Sequence, residues 1–530
     1  MTKFGRLAFT ALLAGTALSL PPAAARATTS GQRAQATEGV ESRAKLVQEM
    51  VDSIFSFAEP GFQEVRTSAY ITGILEKEGF KVTRGVAGIP TAFTATWGDG
   101  GPLIALGSDI DGLLGLSQVP GSPQIKPMLE GAPGHGEGHN SGMPLVVAAA
   151  LAARDVMIKN NIKARLMIWP GVAEELLATK AFYVKEGLFK DVDASIFTHV
   201  SSEFSVGWGD LGNTGLVSVE YRFHGKTAHA AGAPWLGRSA LDGVELMNIA
   251  WNMRREHLPV TQRSHYIISN GGDQPNVVPG EAAVWYYFRE RTFKQIQDLY
   301  DLGNDISEAA AKATGTTVTR QVLGYAAPNW GNRPLAEAAH QNMVRVGMPK
   351  WTADDQAFAR QVQEANGFKL QPLKTEVEKI STPESRGPSN GGGSDDIGDI
   401  MWTVPTITMR YPANVPNTTG HHVTAAMAMT TPIAHKGALA GAQALALTIL
   451  DIATTPSIVA NAKAYFRDVQ TKDEKYAPVL VAGDKPAIHL NKELMTLLRP
   501  QMEKFYYDPG KYGTYLEQLG IKYPPDAPAK

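Results

Sequence analysis

The chain has 530 residues, 43% hydrophobic and 19% charged, which describes a globular protein with more than one domain. A formal net charge of −2 excludes the basic field that nucleic-acid binding needs. There is no cysteine, so thiol nucleophiles and thiolate metal sites are excluded, and any metal must be held by His, Asp and Glu.

Lys3 and Arg6 precede an apolar run over 7–20, and Ala25-Arg26-Ala27 puts small residues where a signal peptidase reads. Residues 1–27 are therefore expected to be an export signal. The run is too short to cross a bilayer, so the mature protein is expected to be periplasmic or secreted, with no membrane span. Residues 28–43 are polar and small and read as a flexible terminus. Leu46, Val47, Met50, Val51 and Ile54 have helical spacing, and a second helix over 69–77 stops at Gly79. Strand-like segments follow at 81–84 and 91–97. The continuous apolar run over 103–107 reads as a strand buried on both faces. It ends in Ser108-Asp109-Ile110-Asp111-Gly112, and the carboxyl ends of such strands are where open α/β sheets bind ligands.

Gly134-His135-Gly136-Glu137-Gly138-His139-Asn140 comes next. It packs two imidazoles and a carboxylate between glycines that let the backbone fold tightly. These are ligand types for a divalent metal such as zinc. A helix over 144–159 leads to a strand at 165–169 that ends near Glu174-Glu175. A helix over 177–186 leads to a strand at 194–197 that ends at His199. Strands alternating with helices predict an α/β fold, with a mainly parallel sheet and helices on both faces. Two adjacent carboxylates in a partly dry site need a cation to stay ionised together. With metal nearby, one can ligate while the other takes a proton from water.

Near Asn213 the pattern changes. Val217, Val219, Tyr221 and Phe223 alternate with polar residues, as in a half-buried antiparallel strand. Helices and further strands to about 328 predict an inserted α+β unit. The first domain resumes at 329 and ends in a long helix over 433–454. The expected organisation is thus 28–212 and 329–454 for the interrupted domain, 213–328 for the insertion, and 455–530 for an extension packed on the surface.

Several stretches resemble the dinuclear-metal aminoacylase, carboxypeptidase and amidohydrolase family, and most of all its aminobenzoyl-glutamate utilisation branch. They are 107–113, 134–140, Pro170 to Glu175, Thr198-His199, 225–231, Gln274 to Pro279, Ser394 to Asp399 and 433–437, collinear within about 40–453. The resemblance implies a catalytic domain carrying two divalent ions, zinc or manganese, and an inserted lid that mediates homodimerisation. It implies Glu137, His139, Glu175, His199 and His421 as metal ligands, with His422 the alternative for the last, and Glu174 as the general base. Where this chain has Glu137, that branch usually has cysteine. Asp109, Asp111, His135 and His422 are expected to support the ligands from behind, and Asn276 and Arg289 to contact a substrate carboxylate. His229 is expected to reach a partner subunit's site and stabilise the oxyanion. The expected activity is hydrolysis of an N-acyl amino acid, aminobenzoyl-glutamate-like, with a secreted dipeptidase or carboxypeptidase as the near alternative. A metal-retaining amino-acid-binding protein is the non-catalytic one.

Overall fold

The computed structural model describes residues 27–177, 179–386 and 392–526. The expected export signal lies outside the described residues except for Ala27. Seven strands form the larger sheet, in the order Lys81–Arg84, Phe93–Trp97, Arg165–Gly171, Leu103–Asp109, Ala194–Ser201, Thr406–Pro412, Ser205–Val206. The four central strands are mutually parallel, and the flanking ones are antiparallel. Ile104, Ala105, Leu106, Leu166, Ile168, Ile196 and Ile407 are fully buried, as continuous apolar runs require. Register sets the strand ends side by side: Ser108 faces both Pro170 and Thr198, and His199 faces Arg410. All the chemistry-bearing loops therefore leave one edge of the sheet.

The insertion is a four-stranded antiparallel sheet in the order Thr317–Ala326, Gly215–His224, Glu281–Glu290, Arg263–Asn270. The helices Ala240–Arg254 and Phe293–Thr314 cover it through Val219, Tyr221, Trp251, Tyr286, Phe288 and Ile296. The Gly215–His224 strand falls where the alternation over 217–223 predicts it.

The polar N-terminal segment differs from expectation. It forms a helix, Ser30–Glu41, started by a capping box between Thr29 and Gln32. Arg33 pairs with Asp451 at 2.5 Å, and the Thr28 and Thr454 hydroxyls lie 2.9 Å apart. Ala36 and Val40 are its buried residues. The extension after 454 is also more than a surface layer. Its Tyr515 and Met495 are buried, and Val479 joins the core of the inserted unit. The Pro432–Thr454 helix is long and apolar enough to cross a membrane, but it is mostly buried inside the protein.

Candidate metal centre

Glu137 and His139 lie in the loop before the Gly142–Asn160 helix. The loop turns at Gly138, whose φ of +99° a side chain would not readily adopt. Glu174 and Glu175 form a tight turn after the Arg165–Gly171 strand, entered through Ala173 and left through Leu177, both in the left-handed region. His199 is near the end of its strand, and His421, also left-handed at φ 54°, lies in the loop after Thr406–Pro412.

These loops bring the five expected ligands together. Glu137 is the hub: its carboxylate lies 3.0 Å from His421 Nε2, 3.7 Å from His199 Nε2 and 4.0 Å from His139 Nε2. Glu175 lies 3.3 Å from His421 Nε2 and 3.8 Å from His139 Nδ1. Asp111 stands behind, with one carboxylate oxygen 3.5 Å from His139 Nδ1 and the other accepting from the Glu175 amide at 3.0 Å. Glu174 is buried beside Glu175.

The residues fit divalent ions. Both ring nitrogens of His139 and one oxygen of Glu175 are buried with no hydrogen-bond partner among the described residues, which a native interior rarely tolerates. Glu137, His139, Glu174 and Glu175 each offer a ligand atom within 4.8 Å of the others, as do Asp109, His139 and His199. Nitrogen and carboxylate oxygen are the donors that zinc and manganese accept.

Electrostatics point the same way. Burial works against charge on His139, but Asp111, Asp109, Glu175 and Glu137 outweigh it and draw positive charge to this spot. Burial also opposes ionisation of Glu137, yet the bond from His421 and the imidazoles of His199 and His139 facing it hold its carboxyl far below the usual range. His199 is pushed down to about 4 by burial and by Arg410. It is therefore neutral, as a ligand must be. Its Nδ1 lies 2.9 Å from the Val200 carbonyl oxygen, and its Nε2 lies on the Glu137 side. Burial, then Asp109 and Asp395, lift Glu174 well above an ordinary carboxylate, in the direction that suits a group trading protons near neutrality.

Other expected residues fall differently. His135 is buried behind the loop, 3.1 Å from the Ile54 carbonyl, and burial pushes it down to about 4. The His422 ring bonds to Thr424 and caps a short helix, so its contacts lie within its own loop, while His421 joins the cluster. Arg289 lines a cleft of about 380 Å³ with Glu137, Glu174, Glu175, His199 and His421. His229 and Asn276 are exposed and do not line that cleft. Leu216, paired with Arg289, and His224, paired with Glu281, mark opposite ends of one strand, roughly 27 Å apart at about 3.4 Å per residue. His229 follows the far end.

Sequence reading missed Lys180. It is fully buried, 2.7 Å from Asp109 Oδ1 and bonded to Asp396, so it ties two loops together under Glu174. It also missed Arg410, whose Nη1 lies 3.1 Å from His199 Nδ1 at the cleft wall. The available signals were a lysine a few residues past Glu174-Glu175 and an arginine within the Thr406–Pro412 strand.

Residues 211–316 match the model of a peptidase dimerisation domain. The chain is 32% identical over 464 residues to one of the subunits of p-aminobenzoyl-glutamate hydrolase from Escherichia coli (strain K12), covering 83% of this chain and 96% of that protein. It belongs to the M20 peptidase family. Xaa-Arg dipeptidase of Mus musculus is 27% identical over 441 residues, covering 82% of this chain and 91% of that protein. The crystal structure of an aminobenzoyl-glutamate utilization protein from Klebsiella pneumoniae shares the fold, with a TM-score of 0.54 at 16% identity, covering 77% and 97% of the two chains. The M20 chain described here is thus a metal-dependent amide hydrolase.

Proposed function

We propose that this M20 enzyme is an exported homodimer that uses two zinc or manganese ions. Its substrate would be an N-acyl amino acid of the aminobenzoyl-glutamate kind. The observation that carries the reading is one cleft holding the His/Glu cluster, the buried Glu174 and the Arg289 guanidinium. His139, Glu175, His199 and His421 would hold the ions, with Glu137 between them. When bound, the ions polarise the scissile carbonyl and acidify water.

Glu174 takes a proton from the attacking water and returns it to the leaving amine. Arg289 is held by Ser394 Oγ at 3.0 Å and lies over the Tyr287 ring; it binds the substrate carboxylate. His229 sits at the far end of the inserted sheet and serves the partner subunit, donating to the oxyanion. The dipeptidase among the relatives favours a second reading, in which the acyl group is itself an amino acid.

The test assays acyl-amino acids and dipeptides with zinc and with manganese, alongside Glu174→Gln. That variant should keep its metal and lose about 10²–10⁴-fold in turnover. Unchanged turnover would remove Glu174 from the mechanism, and metal-loaded wild-type protein inactive on the whole panel would refute the substrate class.

A further inference from the structure

Glu59 is completely buried, yet it is a carboxylate. Its oxygens accept from the Arg66 amide at 3.1 Å and from the Thr67 amide and hydroxyl at 2.9 and 3.0 Å. Among the described residues one cation pairs with it, Arg499, from the C-terminal extension. Burial pushes the Glu59 carboxyl up, and Arg499 is the charge that pulls it back. Arg499 also donates to the Gln63 carbonyl at 3.0 Å. Asn491 Nδ2 donates to the Gly61 carbonyl at 2.9 Å, and Gln63 Nε2 returns a bond to the Leu490 carbonyl at 3.0 Å. The extension thus grips the 59–64 turn at each of its corners.

That turn in turn grips both metal loops. The Glu59 carbonyl accepts from the Gly112 amide at 2.8 Å, directly after Asp111. Glu64 is buried and accepts from the Ala173 amide at 2.7 Å, directly before Glu174 and Glu175. Gly61 packs so closely on Ala173 that a Cβ there would come within 2.9 Å of the Ala173 Cα. A shift of the turn therefore moves Ala173 and Gly112, and with them Asp111, Glu174 and Glu175.

We propose that the C-terminal extension is a working part of the metal centre. Through Arg499 and Asn491 it holds the 59–64 turn, which positions the loops bearing Asp111, Glu174 and Glu175. This rests on reading Glu175 and His139 as metal ligands. Arg499 and Asn491 are positioning residues, acting through the 59–64 turn and its bonds to the Gly112 and Ala173 amides. Residues that orient ligands without touching the metal typically change affinity by about 10–100-fold.

The test measures zinc and manganese affinity of the full-length protein by chelator competition, with circular dichroism and melting temperature on the same samples. Arg499→Ala should weaken both affinities by about 10–100-fold while the protein remains folded at the assay temperature. Arg499→Lys should recover part of the loss, since an ammonium can pair with Glu59 but lacks the fork that also reaches Gln63. Asn491 has φ 63°, which glycine adopts freely, so Asn491→Gly removes only the bond to Gly61 and should give a smaller loss in the same direction. A folded Arg499→Ala with a lowered melting temperature but wild-type affinity overturns the proposal. So does wild-type affinity in Asn491→Gly if Arg499→Ala does not fold. Wild-type protein that binds neither ion would instead overturn the metal reading itself.

Discussion

Lys180 is the sharpest test of the buried electrostatics. Its ammonium is completely buried between Asp109 and Asp396, whose side chains are 1% and 0% exposed. Burial works against its charge, but Asp109, Asp396 and Asp395 outweigh that and hold it well above the ordinary lysine range. Lys180→Met keeps most of the volume and strands both carboxylates. Burial lifts the Asp109 carboxyl to about 8, so Asp396 is the charge mainly stranded at pH 7, and breaking a buried pair by removing one partner costs about 3–5 kcal/mol. The measurement is urea unfolding of the metal-free protein at pH 7. Lys180→Met with Asp109→Asn and Asp396→Asn should recover much of the loss, because the two carboxylates that bond the ammonium are then neutral. A cost for Lys180→Met below about 1 kcal/mol, the size of an exposed pair, would refute the reasoning. So would a triple variant no more stable than the single one.

Glu137→Ala removes the carboxylate that lies within 3.0–4.0 Å of three histidines and should lower bound metal by about one ion per chain after dialysis, measured by elemental analysis. Full metal retention would mean that Glu137 bridges nothing; Glu137→Asp should fall between the two. At Asp355, burial works against ionisation, but bonds from Lys436, Thr352 and Tyr523 hold the carboxyl below its ordinary 3.8. The unfolded chain therefore binds the proton more tightly, so this contribution to stability is complete above about pH 4 and is lost as pH falls through the folded value. Asp355→Asn should flatten the acid side of the unfolding midpoint against pH; parallel curves for variant and wild type would refute it.

The strands and their ends were legible because burial on both faces leaves an unbroken apolar run, and function sits where such runs stop. Glu175 and His199 stand at or just past those stops, and Glu137, His139 and His421 lie in the loops on the same sheet edge. The Ser30–Glu41 helix was not legible, since its anchors are Arg33 to Asp451 and Thr28 to Thr454, pairings that no local spacing reveals. Lys180 was hidden for the same reason. A lysine is ordinarily exposed, and its partners lie 71 and 216 positions away. Arg410 and His199 are likewise joined only by strand register. Periodicity reports which face of an element is covered, not which distant charge covers it.

The pairing of Glu59 with Arg499 spans 440 positions, nearly the whole chain. A ribosome delivers residue 59 long before residue 499. Until the segment bearing Asn491 and Arg499 emerges, the Glu59 carboxylate has no counter-charge and the 59–64 turn has no clamp. Completion of the centre is thereby tied to arrival of residue 499, so a product cut before it would carry all five proposed ligands and still be poorly set to use them.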